Sequence, residues 1–146
     1  MIEKVSNNNL DKVLPLIRAY QEFYKTPDIC DIKNKQFFSQ FGSNNPAGCQ
    51  FLYSNGSAVV GFATVYFSYT STITAKVAIL NDLYTLPTMR GQGIGKKLIE
   101  HCRDYAAINH AARLQWVTAP DNKQAQKLYD SLSATKSDWH FYAINT

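Results

Sequence analysis

Gly91, Gly93 and Gly95 stand at every second position of the stretch TMRGQGIGKKL, residues 88 to 98, with Arg90 just before them and Lys96 and Lys97 just after. So little side chain beside so much positive charge suits an anion. Glycines let backbone N–H groups come close to a ligand oxygen, and a helix starting there aims its positive end at the same point. A pyrophosphate cradle is the chemistry on offer. A loop that needs glycine only to turn, its basic residues merely solvated, is the alternative that the stretch alone leaves open. Two common phosphate motifs fit poorly. A P-loop needs G-x-x-x-x-G-K-[ST], but Gly91 is one residue too close to Gly95, and Lys97 stands where Ser or Thr should. The dinucleotide fingerprint G-x-G-x-x-G needs a third glycine, which falls on Leu98 or on Lys96. What remains is Arg90-x-x-Gly93-x-Gly95.

The flanks say what must position these residues. Upstream, KVAILNDLYTL reads as a strand that ends before Pro87; downstream, Ile94, Leu98, Ile99, Cys102 and Ala106 recur at helical spacing, predicting a helix from Gly93 to His110. The glycines therefore lie where a strand turns into a helix. Asn7 to Asn9 are placed to cap a first helix with Val13, Leu14, Ile17, Tyr20 and Phe23 or Tyr24 as its stripe, and Pro15 falls near its first turns. A second short helix holds Phe37, Phe38 and Phe41, and GSNNPAG at 42 to 48 is a loop by composition. CQFLYS and AVVGFATVYFSY are β-rich runs joined at Asn55-Gly56, a strong hairpin signal, and TSTITA marks a second turn. LQWVT at 114 to 118 reads as a strand, PDN opens a helix through Leu132, and WHFYAI at 139 to 144 reads as a last strand. That order predicts an α/β fold, a mixed sheet with helices on its faces.

Bulk properties narrow the function. A chain of 146 residues suits one domain, residues 1–146, with one core, and 45% hydrophobic with 18% charged residues is a globular balance. No apolar run approaches the roughly 20 residues of a membrane span. MIEKVSNNNL lacks the apolar core and cleavage site of an export signal, which points to a cytoplasmic protein. Cys30, Cys49 and Cys102 form no C-x-x-C pair and read as reduced thiols, so neither a disulfide frame nor a metal site is expected. A formal charge of +4 favours an anionic ligand, yet no basic stripe with interleaved aromatics argues for nucleic acid.

Arg90-Gly91-Gln92-Gly93-Ile94-Gly95 resembles the acyl-CoA-binding signature R/Q-x-x-G-x-G/A of the GNAT N-acetyltransferases, and LYTLPTMRG resembles the strand before it. A second block agrees: VTAPDNKQAQKLYDSL resembles the family's downstream N-x-x-A-x-x-L-Y segment, here Asn122, Ala125, Leu128 and Tyr129. The resemblance covers residues 77 to 133, and element order matches elsewhere. LYDSL…DWHFYAI and LNDLYTLPTMRG are similar to the branch holding polyamine acetyltransferases and a fungal group acting on histones, polyamines or D-amino acids. The glycine usual after the L-Y helix is absent, since this chain reads SLSAT.

The resemblance implies a single-domain fold with a mostly antiparallel, twisted sheet, helices on both faces and a splayed central strand pair. It implies acetyl-CoA as cofactor, with coenzyme A as product. Leu83, Tyr84 and Thr85 are then expected to pair their backbone with the pantetheine arm, Arg90 to Lys96 to hold the pyrophosphate, and Asn122, Lys123, Gln124 and Ala125 to contact the arm and open a helix. A backbone N–H near Tyr84 is placed to steady the developing oxyanion. An alkylamine acceptor has a pKa near about 10 and must lose a proton before it attacks. Tyr129, protonated at neutral pH, is the expected general acid for the leaving sulfur; by sequence alone it also reads as a core-edge aromatic. Relatives that acetylate polyamines carry an acidic pair where this chain has Asn81 and Asp82. Asn81 cannot take a proton, so Asp82 is left to attract the amine or act through water, unless it is only an exposed strand carboxylate. His101 and His110 are expected at the surface of the long helix, and His140 in the last strand.

The acceptor is expected to enter opposite the cofactor, past Tyr24, Tyr20 and Glu22. The leading expectation is an N-acetyltransferase for a primary amine of a small molecule, with no nucleic-acid or membrane partner. A protein acetyltransferase for lysine or N-terminal amines, and a non-catalytic acyl-CoA sensor, are the rivals. Trp139, Phe141 and Tyr142 either bury themselves in a homodimer contact or pack under the N-terminal helices.

Overall fold

The computed structural model describes residues 1–42 and 44–146; of the loop expected at 42 to 48, Ser43 lies outside the described residues. The chain forms two compact units, 1–116 and 117–146.

The first unit runs β1 (Ile2–Lys4), α1 (Leu10–Phe23), α2 (Asp31–Phe38), β2 (Gly48–Asn55), β3 (Ala58–Thr70), β4 (Ala75–Thr85), α3 (Ile94–Ile108) and β5 (Leu114–Gln115). Its sheet has the order β1-β2-β3-β4-β5, antiparallel except for the last pair, β4 with β5. The mixed, mostly antiparallel sheet expected from the sequence is present. β1 carries no signal in its three residues; it exists because Ile2 to Lys4 pair with Tyr53 to Phe51.

Alternation along the strands divides the sheet into two faces. Leu52, Phe62 and Tyr84 lie opposite one another on three strands. They share a core cluster with Leu10, Val13, Leu16 and Ile17 of α1. The other face receives α3, whose expected stripe of Ile94, Leu98, Ile99, Cys102 and Ala106 is buried throughout. Burial of each large aliphatic side chain there contributes about 1.5–3 kcal/mol. Gly61 on β3 lets α3 approach: a Cβ there would sit 3.3 Å from Ile94 and 3.0 Å from the Tyr84 carbonyl. Helices thus cover both faces. Pro15 lies inside α1, where it removes one helical hydrogen bond. Asn9 precedes α1, but its side chain accepts from the Ser6 N–H (2.7 Å) and donates to the Lys4 carbonyl (3.1 Å) instead of capping the helix.

Several boundaries differ from expectation. The β2–β3 turn is Gly56-Ser57, closed by the pair Asn55–Ala58, because Gly56 takes the left-handed φ of 61°. α3 ends at Ile108, so His110 lies beyond the helix, at a φ of 61°. His101 is on the helix but half-buried, its ring 4.6 Å from that of Phe51. β5 is two residues long where a strand through Thr118 was expected.

The second unit contains α4 (Lys123–Asp130), shorter than the expected helix through Leu132. No strand forms at 139 to 144, so His140 is not in one. β-rich composition makes a strand only where a ladder partner satisfies its backbone. Trp139, Phe141, Tyr142 and Ile144 stand exposed.

Candidate active site

β4 is the strand that positions the chemistry. Its parallel ladder with β5 covers only Ala78 and Ile79, while the strand itself runs on to Thr85. Leu83, Tyr84 and Thr85 therefore extend past the end of that ladder. The Tyr84 side chain is not free for a ligand: it is 7% exposed, in the core under α1, leaving the backbone of this segment for recognition.

After β4, Leu86 to Arg90 form a tight turn, with Met89 N–H on the Leu86 carbonyl (2.9 Å) and Arg90 N–H on that of Pro87 (3.3 Å). Gly91 and Gly93 follow with φ of 77° and 76°, the left-handed region that glycine enters without strain. A Cβ at either would meet nothing within 4 Å, so the turn is open on the side a side chain would occupy. Among the described residues, no carbonyl accepts from the amides of Gly91, Gln92 or Gly93. Those of Ile94, Gly95 and Lys96 form the first turn of α3, whose N–H groups have no partner within a helix. That turn holds no acidic residue, and Lys96 and Lys97 add positive charge to the positive end of the helix. The arrangement repels itself and suits a bound anion. The residues fit a diphosphate.

Arg90 is used differently from a simple anion clamp. Its Nε donates to the Thr85 carbonyl (3.1 Å), and its guanidinium lies 5.5 Å from the Phe23 ring and 5.7 Å from that of Tyr84. It ties the glycine turn to the end of β4 and to the end of α1. Lys96 approaches Glu100 at 3.9 Å.

Asn81 and Asp82 sit at a β-bulge. The β3–β4 register pairs Thr64 with Asp82 and Val65 with Leu80, leaving Asn81 unpaired. The bulge brings both side chains together: Asn81 Nδ2 donates to Asp82 Oδ1 (3.1 Å), and the Tyr66 hydroxyl donates to Asn81 Oδ1 (3.1 Å). Asp82 is 6% exposed, which overturns the reading of an exposed strand carboxylate. Burial holds its carboxyl above the usual range, against donors on Thr64, Asn81 and Tyr20 that pull it down. Its Oδ2 is buried without a hydrogen-bond partner. Burial, with the negative Asp82 beside it, also raises the Tyr66 phenol. Tyr20, expected at the acceptor side, packs its ring 4.9 Å from Tyr24 and 6.1 Å from Tyr84; Tyr24 is half exposed. The structure thus brings Asn81, Asp82 and Tyr20 together. Tyr66, Thr64 and Gln50 complete this group. In the sequence they are only polar positions in apolar strands, and the register that aligns them is not legible there.

In the second unit, Asn122 precedes α4 and its Oδ1 accepts from the Ala125 N–H (3.2 Å), so it caps the helix as its residue type suggested. Gln126 Nε2 donates to the carbonyls of Ala119 (3.1 Å) and Pro120 (3.0 Å), which fixes the turn leading into α4. Tyr129 lies on α4, half-buried. Lys123 and Gln124 are exposed on its first turn.

An open strand end, a bare-amide glycine turn and a helix N-terminus follow one another here, a succession that suits a phosphorylated ligand with an extended arm. The chain belongs to the acetyltransferase (GNAT) family, whose model matches residues 14–133. It is 31% identical to the thialysine N-epsilon-acetyltransferase of Bos taurus over 97% of this chain and 90% of that protein. It is 36% identical to the D-amino-acid N-acetyltransferase of Saccharomyces cerevisiae over 59% of this chain and 53% of that one. A crystal structure of a probable acetyltransferase superposes with a TM-score of 0.86 at 26% identity, covering 100% of this chain and 97% of the other. The chain is accordingly an N-acetyltransferase that uses acetyl-CoA, as its family does. Among the described residues no group of His, Cys, Asp and Glu could hold a metal ion, and no helix is long and apolar enough to cross a membrane.

Proposed function

We propose that this enzyme acetylates a primary amine of a small molecule, an amino acid, a polyamine or a similar compound, by direct attack within a ternary complex. The observation that carries the reading is the buried Asp82 with its unpaired Oδ2 at the bulge of β4. A cationic amine is drawn to that carboxylate and loses a proton there or to a water it holds. Asn81 and Tyr24 contact the acceptor. The names of the bovine and yeast relatives, which act on thialysine and on D-amino acids, support a small amino compound.

Acetyl-CoA supplies the activated acetyl group. The amides from Gly91 to Lys96, with Arg90 bracing the turn, hold its pyrophosphate. The backbone of Leu83 to Thr85 pairs with its arm, and the family resemblance adds Asn122 to Ala125 to the contacts. Tyr129 gives its phenol proton to the departing sulfur. That residues 1–146 make one catalytic domain belongs to the same reading, and the family match across both units supports it.

Thiol release from acetyl-CoA, measured against polyamines, amino acids and lysine peptides, tests this. Small amines should give the highest kcat/KM. Peptides outcompeting all of them would replace the reading with a protein acetyltransferase, and tight CoA binding with no turnover of any acceptor would make the chain a sensor. Tyr129→Phe should lower kcat by about 10²-fold or more without weakening CoA binding; unchanged turnover removes Tyr129 from the mechanism.

A further inference from the structure

Two buried polar side chains stand behind Asp82. Gln50 on β2 and Thr64 on β3 are 0% and 1% exposed. The register sets Gln50 opposite Thr64 and Thr64 opposite Asp82, a row across three strands on the face that also carries Leu52, Phe62 and Tyr84. Burial of a glutamine desolvates both ends of its amide, and an apolar residue would suit that core position better. Gln50 Nε2 donates to Thr64 Oγ1 (3.1 Å), while its Oε1 is buried without a hydrogen-bond partner. A hydroxyl whose oxygen accepts one bond turns its own proton elsewhere. The opposing group is the Asp82 carboxyl, whose ionised form Thr64 favours. From the rim, Asn81 holds Oδ1. Support thus reaches the carboxyl from the core and from the rim, and Oδ2 is left over.

We infer that Gln50 and Thr64 are positioning residues: a one-way donor chain, Gln50 amide to Thr64 hydroxyl to Asp82 carboxyl, fixes that carboxyl so that Oδ2 stays free for the ammonium group of the acceptor. This rests on the acceptor-facing role of Asp82 proposed above. No proton moves along the chain. It sets orientation and favours the charged form. The titratable groups facing the carboxyl are Tyr66 from β3 and Tyr20 from α1; the other partners, Thr64 and Asn81, are neutral.

Thr64→Val keeps the shape and removes the hydroxyl, Thr64→Ser restores it, and Gln50→Leu removes the first donor. Three readouts on the full chain separate positioning from packing: the pH profile of kcat/KM, the ¹³C titration of the Asp82 carboxyl, and CoA affinity by calorimetry. In Thr64→Val the acid limb and the carboxyl titration should both move up by about one pH unit. Gln50→Leu should move them the same way by less, Thr64→Ser should return them to the starting values, and CoA affinity should hold throughout. A folded Thr64→Val protein with both curves unmoved overturns the inference, as does Thr64→Ser behaving like Thr64→Val. Should Thr64→Val fail to fold, the same two curves in Gln50→Leu decide. If Asp82→Asn leaves the kcat/KM profile unaltered, the acceptor-facing role fails, and the carboxyl titration still decides the donor chain by itself.

Discussion

Gly93→Ala separates the conformational need for glycine from its role in binding. Gly93 has a φ of 76° and a ψ of 7°, and a Cβ there meets nothing within 4 Å, so the added methyl strains the backbone without a clash. Left-handed backbone costs a non-glycine residue about 1–2 kcal/mol. For a chain of this size that lowers the melting temperature by about 3–8 °C. The open space that spares the folded protein a clash is the space a diphosphate must enter. CoA affinity should therefore fall by about ten-fold or more, about 1.4 kcal/mol or above. Gly56→Ala on the β2–β3 hairpin is the control, since its φ of 61° and open surroundings give the same strain without a ligand. Thermal melts with calorimetric CoA titrations read both effects. Gly56→Ala should melt early and bind CoA normally; Gly93→Ala should do neither normally. If Gly93→Ala melts as expected yet binds CoA like the parent, the diphosphate does not sit on that turn and the reasoning from the bare amides is wrong.

Asp82→Asn should raise stability at neutral pH by about 1–3 kcal/mol while lowering kcat/KM, because it removes a buried charge with an unpaired oxygen. The native pKa of Asp82 is raised, so the stability from its bound proton is fully present below the ordinary carboxylate pKa and is lost as pH rises through the native value. The difference in melting temperature between variant and parent should accordingly grow as pH rises from acid to neutral; a difference that shrinks refutes the assignment. Gly48→Ala places a Cβ 2.3 Å from the Val65 carbonyl and 2.8 Å from the Tyr66 Cα, so denaturant melts should show a loss of about 3 kcal/mol or more. Arg90→Lys should retain its charge but lose the bond to the Thr85 carbonyl and the contact with two rings, weakening CoA binding by loosening the turn; calorimetry with unchanged affinity would show that the brace is dispensable.

The sequence by itself determined what depends on neighbours along the chain. The spacing from Ile94 to Ala106 fixes the buried face of α3, Gly91 and Gly93 supply the left-handed turn before it, and Asn122 caps α4 from three residues away. Each is a local property of backbone geometry, readable from residue type and period. Tertiary structure alone decided what depends on residues distant in sequence. Asp82 reads as a strand carboxylate until the β3–β4 register bulges at Asn81 and lines it up with Thr64 and Gln50. Arg90 reads as an anion ligand until Thr85, Phe23 and Tyr84 converge on it. WHFYAI has the composition of a strand and forms none, since composition cannot supply a partner. Burial and pairing are settled by chain segments tens of residues apart, so the shape of the anion cradle is written locally and the environment of the carboxyl is not.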